Sequence, residues 1–116
     1  MTERRRFSRY KARILLKYKR MYAPISKWQE ISEIGNISFG GLSFDAHERL
    51  PVDTLLILRF QVFTGDSIMR IIEVRAKVVN VKEDILTYRV GVAFIELNKE
   101  TKDMLNEFMK YLNPPI

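Results

Sequence analysis

Apolar and polar residues alternate along much of this chain. Tyr10, Ala12, Ile14, Leu16 and Tyr18 fall on one face, with Lys11, Arg13, Lys17 and Lys19 on the other. A period of two held over that length predicts a half-buried strand. The same alternation returns at Leu42, Phe44 and Ala46 against Ser43 and Asp45, and at Leu56, Leu58, Phe60 and Val62 against Arg59 and Gln61. It returns again at Ile72, Val74, Ala76 and Val78 against Glu73, Arg75 and Lys77, and last at Tyr88, Val90, Val92 and Phe94 against Arg89, Gly91 and Ala93. Residues 28–37 also read as extended. There Ile31, Ile34 and Ile37 are spaced by three, which predicts a bulge or twist near Gly35.

The breaks between these segments have turn chemistry. Ala23-Pro24-Ile25-Ser26 reads as a connection, Asn36 to Gly41 as a turn-rich hexapeptide, and Glu48 to Asp53 as a loop containing Pro51. Thr64-Gly65-Asp66 and Lys82-Glu83-Asp84 supply two further turns. After Asn98 the period changes, with Met104, Leu105, Phe108, Tyr111 and Leu112 at helical spacing. Asn98 is the expected N-cap, Glu100 and Asp103 suit the positive helix end, and Asn113-Pro114-Pro115 is the expected stop. Six strands of this size, each with one apolar face, hide those faces by curling. The expected fold is all-β: a six-stranded antiparallel barrel over residues 10–97, preceded by a flexible basic arm over 1–10 and followed by a helix over 98–113.

Composition narrows the setting. With 116 residues, 47% of them apolar and 29% charged, the chain is expected to form one globular domain. It has no cysteine, which removes disulfides, thiolate metal sites and cysteine nucleophiles. No apolar run reaches the ~18–20 residues of a membrane span, and a soluble, cytoplasmic protein is expected. The net charge of +6 is concentrated at one end: residues 1–20 hold nine basic groups against Glu3 alone, a local +8, and the remainder sums to −2. Such a distribution points to an anionic partner met at one place.

Catalytic constellations are missing. His47, the single histidine, has no partner at metal-ligand spacing, and Glu83-Asp84 falls in an expected turn. No nucleophile elbow and no phosphate loop with its lysine is present, so an enzyme is not expected. Trp28 is expected to pack in the core or at its rim.

Two groups of residues suit binding instead. Arg5 and Arg9 form an R-x-x-x-R pair inside Arg4-Arg5-Arg6-Phe7-Ser8-Arg9, and guanidinium forks match phosphates and the O6/N7 edge of guanine. On its own the cluster reads as a charged tail. Asn36-x-Ser38-x-x-Gly41 adds a carboxamide able to accept from guanine N1–H and N2–H₂, a hydroxyl for a phosphate or base edge, and a glycine that admits a ligand to the backbone. Together they describe a site for a guanine nucleotide with more than one phosphate.

Three stretches, in order, resemble the PilZ domain family of cyclic di-GMP receptors. Glu3 to Arg9 is similar to its R-x-x-x-R opening, Asn36 to Leu42 to its (D/N)-x-S-x-x-G element, and Tyr88 to Phe94 to its late strand with a glycine before an aromatic. The resemblance implies a six-stranded barrel whose N-terminal arm closes over ligand. Arg5 and Arg9 would clamp phosphates and guanine, and Asn36, Ser38 and Gly41 would form the opposite wall. Arg4, Arg6 and Gly40 are possible additional contacts. Gly91 is expected to be structural, and Arg89 to be an outward, salt-bridged residue. No cofactor is implied beyond the ligand, no DNA is expected as a partner, and output is expected to pass to another protein because no catalytic or DNA-binding domain is attached. The alternative is a small basic barrel for single-stranded nucleic acid, against which the aromatics fall mostly on inward faces. A third reading is a protein-interaction barrel docking an acidic partner with its basic end.

Overall fold

A computed structural model describes residues 10–11, 14–22, 27–31, 34–63 and 68–110. It contains β1 (Tyr10–Lys11), β2 (Leu16–Arg20), β3 (Gln29–Ile31), β4 (Ile34–Ile37), β5 (Gly41–Ala46), β6 (Leu55–Phe63), β7 (Met69–Glu83), β8 (Tyr88–Ile95) and α1 (Lys99–Met109). All eight strands belong to one antiparallel sheet in the order β1-β4-β5-β8-β7-β6-β2-β3. The count exceeds six because two of the expected strands are each divided. Residues 10–18 give β1, the edge strand beside β4, and the start of β2, which lies between β6 and β3 near the other edge. Residues 28–37 give β3 and β4, and the β4–β5 ladder shifts register between Ile34 and Asn36, where a bulge was expected.

The sheet curls until its inner faces meet. Leu16, Tyr18, Ile37, Leu42, Phe44, Ala46, Leu56, Leu58, Phe60, Val62, Ile72, Ala76, Val78 and Val90 are all buried in one core. Ile37 apart, which belongs to the three-spaced segment, this is the inward set that the period of two selects. Tyr18 meets Phe44 with ring centroids 5.2 Å apart, and Phe60 stacks on Phe94 at 6.4 Å, so aromatic pairs tie non-adjacent strands through the interior. Among the described residues no ladder joins β1 to β3, so the architecture is a half-barrel closed by curvature.

Helix α1 supplies Leu105, Phe108 and Met109 to the same core, with Met104 packed against it. The Asn98 side chain caps it, accepting from Thr101 N–H at 2.8 Å. One turn differs in position from expectation. β7 runs on through Lys82 and Glu83, and the chain reverses over Asp84–Thr87, where Asp84 N–H donates to the Thr87 carbonyl at 2.9 Å. The helix ends at Met109, and Tyr111 to Pro115 lie outside the described residues, as do Ala23 to Ser26 and Thr64 to Asp66.

Candidate functional site

The groove is assembled on the outer face of β4, β5, β8 and β7. Cross-strand register places Asn36 opposite Ser43, Ser43 opposite Gly91, and Gly91 opposite Asn80. These four residues form a row across four adjacent strands, and each projects away from the core. The row runs along an open-sided groove of about 370 Å³, lined also by Ser38, Gly40, Gly41, Val79, Arg89 and Ala93. Its floor is made of small residues, because Gly41 pairs with Ala93 and Ser43 with Gly91. A planar or cyclic ligand can therefore lie close to the backbone.

The turn at one end of the groove holds itself in place. Ser38 N–H donates to the Gly41 carbonyl at 2.8 Å, Gly40 N–H donates to Ser38 Oγ at 3.1 Å, and Phe94 N–H donates to the Gly40 carbonyl at 2.9 Å. Ser38 Oγ donates in turn to the Gly41 carbonyl at 3.4 Å. Asn36 belongs to β4 and not to this turn, so its carboxamide stands on a strand whose register is set by β5. Gly41 is required by contact: a Cβ there would stand 1.9 Å from the Val92 carbonyl oxygen. Asn36, Ser38 and Gly41, the residues expected to form a wall, line one groove, as does Gly40, the possible additional contact.

Arg4, Arg5, Arg6 and Arg9 lie outside the described residues. The strand that follows them does not. Tyr10 pairs with Ile37 and Lys11 with Asn36, antiparallel, so the start of β1 is directed toward the Ser38 end of β4.

Arg89 lines the groove and is also ion-paired, its Nε donating to Asp45 Oδ1 at 2.6 Å. Asn80 and Ser43 escaped the sequence reading. Strict alternation after Val78 puts residue 80 on the core face, but the β7–β8 ladder shifts between Val78 and Asn80 and turns Asn80 outward. Ser43 looked like an ordinary outward position. Its Oγ is buried without a hydrogen-bond partner, the one such side-chain atom among the described residues.

A smaller hollow of about 140 Å³ lies elsewhere, between Tyr18, Gln29, Glu30, Ile31, His47 and Glu48. Burial pushes the Tyr18 hydroxyl up to about 12, with Glu48 adding to the rise and Arg20 opposing it. His47 is exposed in the bend after β5. Among the described residues no group of three or more histidine, cysteine or carboxylate side chains is placed to hold a metal ion.

A half-barrel of one antiparallel sheet, capped by a C-terminal helix and grooved beside a serine–glycine turn, defines the class. A family-wide model of the PilZ domain matches residues 3–111, and the chain belongs to the PilZ domain family. Solved structures agree on the fold. The Bacillus subtilis inhibitor of motility MotI/DgrA superposes with a TM-score of 0.73 at 17% identity, over 94% of this chain and 50% of its own. YcgR from Escherichia coli, in complex with c-di-GMP, gives 0.71 at 14% identity over 94% and 46%. The MrkH–c-di-GMP complex of K. pneumonia gives 0.69 at 17% identity over 95% and 52%. The chain spans about half the length of these three neighbours. A search of curated proteins finds no match.

Proposed function

We propose that this PilZ domain binds cyclic di-GMP in the groove beside the Ser38–Gly41 turn and acts as a receptor or adaptor that passes the signal to another protein. The observation that carries the reading is the convergence of Asn36, Ser38 and Gly41 on one groove, with β1, the strand entered from Arg9, paired to the Asn36 strand. Arg5 and Arg9 supply guanidinium forks for the phosphates and for guanine, and Asn36, Ser38 and Gly41 form the wall. Arg4, Arg6 and Gly40 lie next to these residues in sequence and add charge or backbone contact. Two of the structural neighbours are described with c-di-GMP bound, which supports the choice of ligand.

Single-stranded nucleic acid fits less well. Tyr18, Phe44 and Phe60 are buried in the core, Phe39, Tyr88 and Phe94 pack against it, and Trp28 is covered by two cations. Among the described residues Tyr22 is an exposed ring, but no row of open rings on which successive bases stack is formed.

Calorimetric titration of the purified chain with cyclic di-GMP, beside an Arg5→Ala, Arg9→Ala double variant, tests the reading. Saturable heat for the wild type and a loss of affinity of a hundredfold or more in the variant are expected. No wild-type heat, or equal affinity for both proteins, overturns it.

A further inference from the structure

We infer that Asn80 is a second base-reading amide of the groove, receiving one guanine of cyclic di-GMP while Asn36 receives the other. The inference rests on the ligand reading above and adds a residue, a role and a specificity to it.

Two departures from regular β structure meet at this point. Val78 is buried and Val81 packs against the core, so the two residues between them do not alternate. Val79 is the extra residue of a bulge, and its insertion moves Asn80 from the core face to the groove face. Opposite it stands Gly91. A Cβ on Gly91 would lie 2.7 Å from Asn80 Oδ1 and 2.8 Å from its Nδ2, so the carboxamide rests across the space the missing side chain leaves. A regular strand would have buried an amide among valines, and a larger residue at 91 would have displaced it. Both irregularities serve to hold this one polar group at the groove.

Its placement matches a ligand with two bases. Asn36 and Asn80 sit at opposite ends of the Asn36–Ser43–Gly91–Asn80 row, three strand spacings of about 4.8 Å apart, or roughly 14 Å along the sheet. Between their backbones lie only Ser43 and Gly91, and with the Asn80 carboxamide lying over Gly91 the ribose–phosphate ring is left the part of the row toward Ser43. A carboxamide oxygen accepts from guanine N1–H and N2–H₂; adenine has a lone pair at N1 and no amine at C2, so it offers neither donor. Where each amide presents its oxygen to the N1–H/N2–H₂ edge, that end of the row favours guanine.

The test is calorimetry with two probes, cyclic di-GMP and the mixed cyclic dinucleotide in which one guanine is replaced by adenine. It uses the wild type, Asn80→Ala, Gly91→Ala and the Asn80→Ala, Gly91→Ala double variant, with thermal melts to establish that each is folded. Wild type is expected to prefer cyclic di-GMP over the mixed probe by tenfold or more. Asn80→Ala is expected to weaken cyclic di-GMP about tenfold to a hundredfold and to bind the two probes within about twofold, since the single guanine of the mixed probe still reaches Asn36. Gly91→Ala should act in the same direction by displacing the amide, and the double variant should be no weaker than the weaker single. If wild type binds but Asn80→Ala keeps its affinity for cyclic di-GMP or its preference between the probes, this inference fails and the receptor reading stands. If wild type binds neither probe, both fail.

Discussion

The outer surface of the sheet is built differently in its two halves. Over β2, β6 and the first part of β7 it is charged and self-neutralised. Lys17 faces Glu30 at 3.4 Å, Arg59 donates to Glu73 at 2.7 Å, and Trp28 lies under Lys19 and Arg59 with the cations 4.8 and 4.6 Å from its ring. Over β4, β5, β8 and the bulged part of β7 the surface is instead small and amide-bearing, with Asn36, Ser43, Gly91 and Asn80 in a row. Charge density and the candidate groove thus separate. In the first half charges pair with one another or cover Trp28, whereas the second holds the Arg89–Asp45 pair beside amides and backbone that line the groove.

Substitutions can break or sharpen that contrast. The largest effect is expected on the inner face beneath the groove, where Phe44→Ala empties a fully buried site and costs about 3–5 kcal/mol in denaturant unfolding. Gly41→Ala comes next. Its Cβ meets a backbone carbonyl that has no rotamer to escape into, and a loss of about 3 kcal/mol with disruption of the β5–β8 ladder is expected by amide hydrogen exchange. Alkaline unfolding gives a third measure. The Tyr18 hydroxyl ionises at about 12 in the fold against 10.0 ordinarily, so the neutral form is the one the fold favours. Its stabilising contribution is complete below pH 10 and disappears as pH rises toward 12, on the order of 2 kcal/mol over that window. In the charged half, Arg59→Ala should cost under about 1 kcal/mol, because its ion pair is exposed and screened. Ser43→Ala is the smallest and has the opposite sign: removing an orphaned hydroxyl should leave the melting temperature unchanged or slightly higher. A clear destabilisation by Ser43→Ala would show that the hydroxyl has a partner in the free protein.

Most of the core was legible because the sheet is curled around a single interior. Once one face of each strand is buried, a period of two marks the same residues in sequence and in space, as Leu56, Leu58, Phe60 and Val62 show. The helix was legible for the same reason, through its cap at Asn98 and its contacts at Leu105 and Phe108. What sequence pattern did not show is where the pattern is interrupted. Val79 and Asn80 follow Val78 in a run that looks continuous, and only the partner strand reveals that one residue is extra. The division of residues 10–18 between one edge of the sheet and a strand near the other is hidden likewise, since both pieces obey one alternation. Half of the candidate site, Asn36 to Gly41, was legible as turn chemistry. Ser43 and Asn80 owe their place in it to cross-strand register, and register is a property of pairs.

The row of residues also has a kinetic meaning. Ser43 reaches Gly91 only through the β5–β8 ladder, which joins Gly41–Ala46 to Tyr88–Ala93, segments far apart along the chain. Contacts of such long sequence separation are slow to form, because loop closure must be accomplished before they contribute. No local fragment contains the groove: the β4–β5 hairpin holds Asn36 and Ser43, and the β7–β8 hairpin holds Asn80 and Gly91. During synthesis the groove comes into being only after Gly91 has emerged and the two hairpins have joined. A ligand held there would act on the native state alone, so its concentration would raise the folded fraction as well as the occupied one.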